Sequence, residues 1–177
     1  KFRGTPTTDP KRKQAVKRDC YVNLGQGPTI VYKAFLRGRY PIAQAYAGDS
    51  FTVDQVQDLG RGRIVRLGTY GDPAAIPSSI WDILISRAES HLAYTHQSGF
   101  RPDIAMQSAD TKAQAVAHWN NGRRTFRVIT DLGDIVKGKE ILCPASKEAG
   151  RRVQCNACKL CGGNSTKSPK SIAIVQH

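Results

Sequence analysis

Four cysteines in the C-terminal part of the chain have the spacing of a metal centre. Cys143 is followed after eleven residues by Cys155, and two residues separate Cys155 from Cys158 and Cys158 from Cys161. Two intervening residues let successive thiolates turn inward onto one centre. Four thiolates repel one another unless a cation neutralises them. The pattern therefore predicts a metal-binding segment over residues 143–163.

Two cofactors fit these four ligands. A closely spaced triplet with one remote cysteine is typical of a [4Fe–4S] cluster. Structural zinc more often uses two separated C-x2-C pairs, of which Cys158 and Cys161, followed by Gly162, form one. The small residues Ala157 and Gly163 let the backbone wrap closely around the sulfur atoms. The prediction is therefore either a [4Fe–4S] cluster or zinc.

The fifth cysteine, Cys20, lies far from the other four in the sequence. We interpret it as a residue of a short strand rather than a fifth ligand. An odd number of cysteines, with no apolar signal-peptide core after Lys1, argues against a disulfide framework. The missing initiator methionine is consistent with numbering that begins inside a longer chain. Because no run of about 18 apolar residues occurs, we expect a cytoplasmic protein that does not span a membrane.

Polar side chains follow several predicted strands. Parallel strands end at one edge of a sheet, where α/β proteins place their sites. A histidine and a carboxylate at such a rim could perform acid–base chemistry or bind a metal. The candidate catalytic residues are Tyr70, Asp72, His96, Gln107 and Ser108. Each also has a simpler interpretation, because Asp72 and Ser108 suit turns or helix caps and His96 suits a loop.

The predicted elements alternate between strands and helices. Capping-box patterns at Thr52 with Gln55 and at Thr111 with Gln114 mark two helix starts, and Ser78 or Ser79 suits a third. The predicted helices cover residues 29–38, 53–59, 79–89 and 112–121. The predicted strands cover residues 20–23, 63–68, 91–95, 103–107, 124–129 and 171–175.

This alternation predicts parallel strands joined by right-handed crossovers. About six strands predict an α/β fold, either a small or incomplete (β/α) barrel or an open parallel sheet. A complete eight-fold barrel usually needs about 250 residues, and this chain has 177. We expect a basic flexible arm over residues 1–18, followed by a single domain over residues 19–177.

The net charge of +13 lies mainly at the two ends of the chain. Residues 1–40 carry ten basic and two acidic side chains, residues 41–142 carry eleven of each, and residues 143–177 carry six basic and one acidic. Such an excess predicts an anionic partner, most often nucleic acid. The candidate nucleic-acid-binding residues in the arm are Lys11, Arg12, Lys13, Lys17 and Arg18. A solubilising basic tail is the simpler interpretation.

Several segments together resemble a known family. They are CYVNLGQGP, VRLGTYGDPAAIP, AYTHQ, RTFRVI and the C-terminal run CPAS, VQCNACKLCGG and KSIAIVQH. The chain resembles, from about Cys20 to His177, an uncharacterised family carried by phages and plasmids, near the "gene product 88" type. The resemblance implies a layout like the partial barrels of radical-SAM enzymes. The C-x3-C-x2-C motif of those enzymes is missing, so radical-SAM activity is not predicted.

Three hypotheses for function follow from these patterns. The first is a metal-containing phage- or plasmid-type protein that binds or processes nucleic acid or a nucleotide at the strand-end rim. The second is an interaction protein that docks on a larger assembly through its basic termini and uses the metal only structurally. The third is an iron–sulfur redox or radical enzyme. The sequence leaves open whether the protein is an enzyme, because it carries no glycine-rich phosphate loop and no G-x-S-x-G elbow.

Overall fold

The structure is a computed structural model that describes residues 27–39, 52–69, 71–151, 153–165 and 168–176. The chain forms two compact units, Lys1–Ser50 together with His177, and Phe51–Gln176. The described part of the first unit contains helix α1, Gly27–Leu36, in which no residue is buried. All other elements belong to the second unit.

The second unit alternates strands and helices, as the sequence predicts. Its helices are α2 (Val53–Gly60), α3 (Ser78–Ile85), α4 (Lys112–Asn120) and the single turn α5 (Cys155–Cys158). Its strands are β1 (Ile64–Arg66), β2 (Ser90–Leu92), β3 (Tyr94–Thr95), β4 (Met106–Ala109), β5 (Thr125–Ile129), β6 (Glu140–Leu142) and β7 (Ser171–Val175). Short 3-10 turns lie at Pro73–Ala75, Leu132–Asp134, Lys147–Ala149 and Gly163–Ser165.

Every strand pair in the described part of the chain is parallel. Strands β1 and β2 form one sheet, and a second sheet has the order β3-β4-β5-β7-β6. Only Ala93 separates β2 from β3. The described strands form open sheets and do not close into a barrel. The prediction of an α/β fold with parallel strands is therefore confirmed, and the open sheet is the form it takes.

The five-stranded sheet has two different faces, because successive side chains of a strand point to opposite sides. On one side, which we call the helix face, Ala93 and Ala105 pack against α3 through Trp81 and Leu84. Helix α4 covers the same face further along, where Trp119 donates hydrogen bonds to the hydroxyls of Thr125 and Ser171. On the opposite side, which we call the cysteine face, a buried cluster forms from Leu92, Met106, Phe126, Cys161 and Ile172.

Local sequence signals place several element boundaries correctly. Thr52 and Thr111 form the predicted capping boxes, and α4 is followed by Gly122, whose φ of +68° suits a residue without a Cβ. Helix α3 instead begins after Pro77 without a side-chain cap, so the predicted serine cap is wrong. The predicted strand over residues 20–23 lies outside the described residues.

Several strands differ from the prediction. The single strand predicted over residues 91–95 is divided at Ala93 into β2 and β3, which belong to different sheets. Strand β4 covers Met106–Ala109 rather than 103–107, because residues 102–104 form a turn. Strand β6 was not predicted, since it is only three residues long and begins with Glu140. Glu140 is 4% exposed and its side chain lies against Arg127, so a charged residue occupies a core position.

Candidate metal centre

The four cysteines lie on the crossover that joins the neighbouring parallel strands β6 and β7. Parallel strands need a crossover of a dozen or more residues, usually an α-helix. Here the connection runs from Cys143 to Lys170, and its described part contains only α5 and two 3-10 turns. A connection of this length with little regular structure needs other interactions to hold its shape.

The crossover covers the cysteine face of the sheet. Cys161 is 8% exposed within the cluster around Met106 and Phe126, while Cys143 and Leu160 pack against that cluster. Cys158 is half-buried and Cys155 is exposed. The four thiols therefore extend from the core to the surface of the unit.

The thiols lie close enough to affect one another electrostatically. The pKa of Cys161 is raised to about 11, mainly by burial and to a smaller extent by negative charge on Cys143, Cys158 or Cys155. Burial is also the main reason why the pKa of Cys143 is raised, and Cys155 and Cys158 add to it. Charges on the four thiolates would thus repel one another, as expected for ligands of a single cation.

Hydrogen-bond donors point at two of these sulfur atoms. The backbone N–H groups of Ala145 and Ser146 lie against the sulfur of Cys143 and lower its pKa. The hydroxyl of Tyr94, on β3, does the same for Cys161. Such donors stabilise the thiolate, the form that binds metals. The sequence analysis did not identify Tyr94 as part of this site, although it lies within the segment AYTHQ.

The thiols are near one another but are not arranged as a ligand set. In the ranges that the structure describes, no group of three or more His, Cys, Asp or Glu side chains is placed to hold a metal ion. The donor chemistry fits zinc or an iron–sulfur cluster, and the geometry is not that of a formed site. The metal-binding segment over residues 143–163 therefore stays a prediction.

Arg124 fixes the crossover beneath the cysteines. It lies directly before β5, is 8% exposed, and donates hydrogen bonds to the carbonyl oxygens of Leu160, Gly163 and Lys170. Burial lowers the pKa of Arg124, and the thiolate of Cys161 opposes that shift. This buried cation therefore both positions the loop and offsets thiolate charge. The only sequence signal was an arginine at the start of a buried strand.

At the carboxyl edge of the sheet, Asp72 links two strand ends. Its Oδ1 accepts hydrogen bonds from the hydroxyl of Thr95 at 2.6 Å and from the N–H of Ala74 at 2.9 Å. Its Oδ2 accepts from the N–H of His96 at 2.9 Å. The carboxylate thus caps the turn at Pro73–Ala75 and ties it to β3, in agreement with the simpler interpretation.

Gln107 joins this group and Ser108 does not. The buried side chain of Gln107 donates to the carbonyl oxygen of Thr95, whereas its Oε1 has no hydrogen-bond partner in the described structure. Ser108 is the next residue of β4, so its side chain points to the cysteine face, beside Phe126 in register. The exposed His96 has its Nε2 3.9 Å from Oδ1 of Asp110.

The rim therefore brings together only some of the predicted catalytic residues. Asp72 and Gln107 are connected through Thr95, and His96 joins them only through its backbone N–H. Tyr70 lies outside the described residues. An open groove of about 480 Å³ lies beside them, lined by Asp72, Ala74, Ala75, Gln97, Gly99 and Phe100. Because Asp72 is already engaged in three hydrogen bonds, the groove has few polar groups available for chemistry.

The remaining predicted positions lie elsewhere. The basic residues Lys11, Arg12, Lys13, Lys17 and Arg18 fall outside the described residues, as does Cys20. Among the helices that the structure describes, none is both long enough and apolar enough to cross a membrane.

Comparison with known protein families, with curated protein sequences and with solved structures finds no match to this chain. What the fold and the site define is an α/β unit of parallel strands with a cysteine-rich crossover. The resemblance to the phage- and plasmid-borne family stays a prediction, and function is inferred from the residues themselves.

Proposed function

We propose that this chain is a nucleic-acid-binding α/β protein in which Cys143, Cys155, Cys158 and Cys161 hold a metal that stabilises the C-terminal crossover. The observation that carries the proposal is the electrostatic coupling of four thiols within a segment that has little regular structure. A cation would remove the repulsion between the thiolates. It would also hold the crossover in shape, as the hydrogen bonds of a crossover helix normally do.

The hydrogen bonds around the sulfur atoms support the metal centre. Hydrogen bonds from Ala145, Ser146 and Tyr94 lower the pKa of Cys143 and Cys161 and so oppose the raising effect of burial. The buried Arg124 adds a positive charge near Cys161. Binding the metal would require the four thiols to move closer together and to lose their protons, which couples metal binding to the order of the crossover.

Metal content measured after anaerobic purification tests the proposal. About one zinc per chain without colour indicates a structural site, and roughly four irons per chain with a brown colour indicates a [4Fe–4S] cluster. An iron–sulfur cluster that bleaches on reduction would move redox chemistry ahead of nucleic-acid binding. A chain that contains neither metal contradicts the metal centre.

Single Cys→Ser variants identify the ligands. We expect Cys143→Ser and Cys161→Ser to lose most of the bound metal, because each removes one thiolate from a four-ligand set. Cys20→Ser is the matched control, and we expect it to keep the metal content of the original chain. Equal metal content in all three variants would exclude this ligand assignment.

The charge of the chain supports nucleic acid as the partner. A net charge of +13 attracts polyanions, and neutralised phosphates release counterions, so binding should weaken steeply with salt. The carboxyl rim is a poor place for phosphate, because Asp72, Asp110 and Asp131 all follow strand ends there. A mobility-shift assay over a range of salt concentrations tests this function, and failure to bind at low salt would contradict it.

Docking on a larger assembly is the alternative that this assay also addresses. A stoichiometric protein partner that co-purifies with the chain, together with no affinity for DNA or RNA, would favour that function. Catalysis at the rim has its own test in His96→Ala and Gln107→Ala, because a binding protein should tolerate both changes without loss of affinity.

A further inference from the structure

Basic residues are concentrated at one edge of the sheets, the edge where the strands begin. Because the described strands all run in one direction, the residues that precede them share one edge, the amino-terminal edge. Arginines and lysines precede most of the strands, whereas Asp72, Asp110 and Asp131 follow strands at the carboxyl edge. The middle of the chain is neutral in total, but its charges are separated in space.

On one half of the amino-terminal edge, three arginines are held in ion pairs. Near β1 and β2, Arg61 lies 2.5 Å from Asp58, and Arg87 lies 2.8 Å from the same carboxylate. Near β4, Arg101 contacts both Asp82 and Asp103 at 2.6 Å. These cations have local partners, so this half offers little attraction to an external anion.

The other half, before β5, β7 and β6, has no such compensation. Lys137 and Lys139 are exposed, and no hydrogen bond or ion pair involves either side chain in the described structure. Arg123 donates to the carbonyl oxygen of Phe100, and Lys170 donates to that of Gly138. We call Arg123, Lys137, Lys139 and Lys170 the basic corner.

No carboxylate lies within the segments that form the basic corner. Residues 121–124, 137–139 and 168–170 contain neither Asp nor Glu. The adjacent Glu140 has a fully buried carboxylate whose Oε2 lies 2.6 Å from Arg127. Of the four cations, Lys137 and Lys139 are exposed and Arg123 and Lys170 are half-buried, and none of the four forms an ion pair in the described structure.

The spacing of these cations fits a phosphate backbone. Their strands are neighbours in the order β5-β7-β6, and neighbouring strands lie about 4.8 Å apart, so the corner extends over about 10 Å. Duplex DNA carries a negative charge about every 1.7 Å along its axis, so several phosphates fall within that distance.

We propose that the basic corner contacts the phosphate backbone of nucleic acid. This inference rests on the proposed nucleic-acid-binding function and names the surface involved. Because lysine and arginine contacts to phosphate carry no sequence information, binding through the corner is independent of base sequence. The rest of the described amino-terminal edge plays a smaller part, since Arg61, Arg87 and Arg101 are held by carboxylates.

The test measures binding of a fluorescein-labelled DNA duplex and of a labelled single strand over a range of salt concentrations. The combined variant Lys137→Gln, Lys139→Gln and Lys170→Gln should bind more weakly, and its slope of log affinity against log salt should fall by about one for each phosphate that the variant no longer neutralises. Lys139→Gln alone changes an exposed side chain and should fold normally. Its matched control is Lys112→Gln at the start of α4, on the carboxyl side of β4, which should bind like the original chain.

The outcomes separate this inference from the function on which it rests. An original chain that binds neither probe, or that binds only an acidic polypeptide, overturns both. A combined variant that folds and keeps the original affinity and salt slope overturns the corner alone. In that case the combined variant Lys11→Gln, Arg12→Gln, Lys13→Gln, Lys17→Gln and Arg18→Gln should lose binding instead, which would assign the contact to the N-terminal arm.

Discussion

Two buried arginines in this protein are satisfied in different ways. Arg127 on β5 forms a two-pronged contact with Glu140, with its Nε 2.8 Å from Oε1 and its Nη2 2.6 Å from Oε2. Arg124, three residues earlier, donates instead to backbone carbonyl oxygens of the crossover. The first side chain joins two strands, and the second holds the segment that carries the cysteines. Both show that a buried cation requires a full set of acceptors.

Breaking the Arg127–Glu140 pair should be costly. Glu140→Ala leaves a buried guanidinium without its carboxylate, and we expect it to lower the free energy of unfolding by about 3–5 kcal/mol. Urea denaturation of the variant and of the original chain measures the difference.

Two controls accompany this measurement. Asp58→Ala removes a carboxylate that lies on the surface against Arg61, and we expect a much smaller change, because solvent screens exposed ion pairs. Replacing Arg127 with Met and Glu140 with Leu together should recover part of the loss, since no unpaired charge remains. If Glu140→Ala lowers the free energy of unfolding as little as Asp58→Ala does, the Arg127–Glu140 pair is not shielded from water.

At the scale of elements, the unusual feature is a crossover with little regular structure. Its end turns tightly at Gly163, where φ is +62° and a Cβ would lie 2.4 Å from the carbonyl oxygen of Pro102. The carbonyl oxygen of Cys161, two residues earlier, accepts a hydrogen bond from the N–H of Ala93, between β2 and β3. The loop is therefore inserted closely against the sheet.

Gly163→Ala should displace this loop. The added methyl group meets backbone rather than a flexible side chain, and the positive φ is itself unfavourable for alanine, so we expect the unfolding free energy to fall by more than about 1 kcal/mol. Gly99→Ala is the matched control, because a Cβ there meets nothing within 4 Å and the φ is not positive. Thermal and urea denaturation compare the two variants, and equal stabilities would show that the loop has room to move.

At the scale of the whole molecule, the two faces of the sheet are covered by different means. Helices α3 and α4 cover the helix face through apolar contacts and hydrogen bonds, whereas the cysteine face is covered by the crossover. If a metal holds the crossover, then the crossover and the two helices depend on different interactions. Removing the metal should then loosen the crossover before it affects α3 and α4.

Amide hydrogen exchange with and without a chelator measures this dependence. We expect the N–H groups of residues 143–165 to exchange faster after metal removal, while those of α4 and β5 keep their protection, because local opening exposes only the crossover. The Cys143→Ser variant should show the fast exchange even before the chelator is added. Uniform loss of protection across the unit would mean that the crossover does not open separately.

Much of the fold could be predicted from local patterns. The capping boxes at Thr52 and Thr111 and the strand at Ser171–Val175 follow from side chains within a few residues, so the sequence reveals them directly. Strand β6 and the role of Arg124 could not be predicted in the same way. Both depend on partners at least 13 residues away, Glu140 on Arg127 and Arg124 on the loop around Gly163.

The candidate sites, like the fold, could be predicted only in part from the sequence. The spacing of the four cysteines alone indicates a metal, because ligand type and separation are properties of the sequence. Whether Gln107 and Ser108 share a cleft depends on the alternation of side chains along β4, which places them on opposite faces. Ser108 therefore does not belong to the strand-end rim, and Asp72 caps the turn at Pro73–Ala75.

The sequence by itself determined the α/β class, the cysteine spacing and the net charge of +13, since these depend on residue type and order alone. Only the tertiary structure decided where the charge lies. Parallel pairing brings the residues that precede the strands to one edge. Ion pairs there hold Arg61, Arg87 and Arg101 and leave Lys137, Lys139 and Lys170 uncompensated by carboxylates. Distances between residues far apart in the chain decide which charges cancel, and no local pattern contains them.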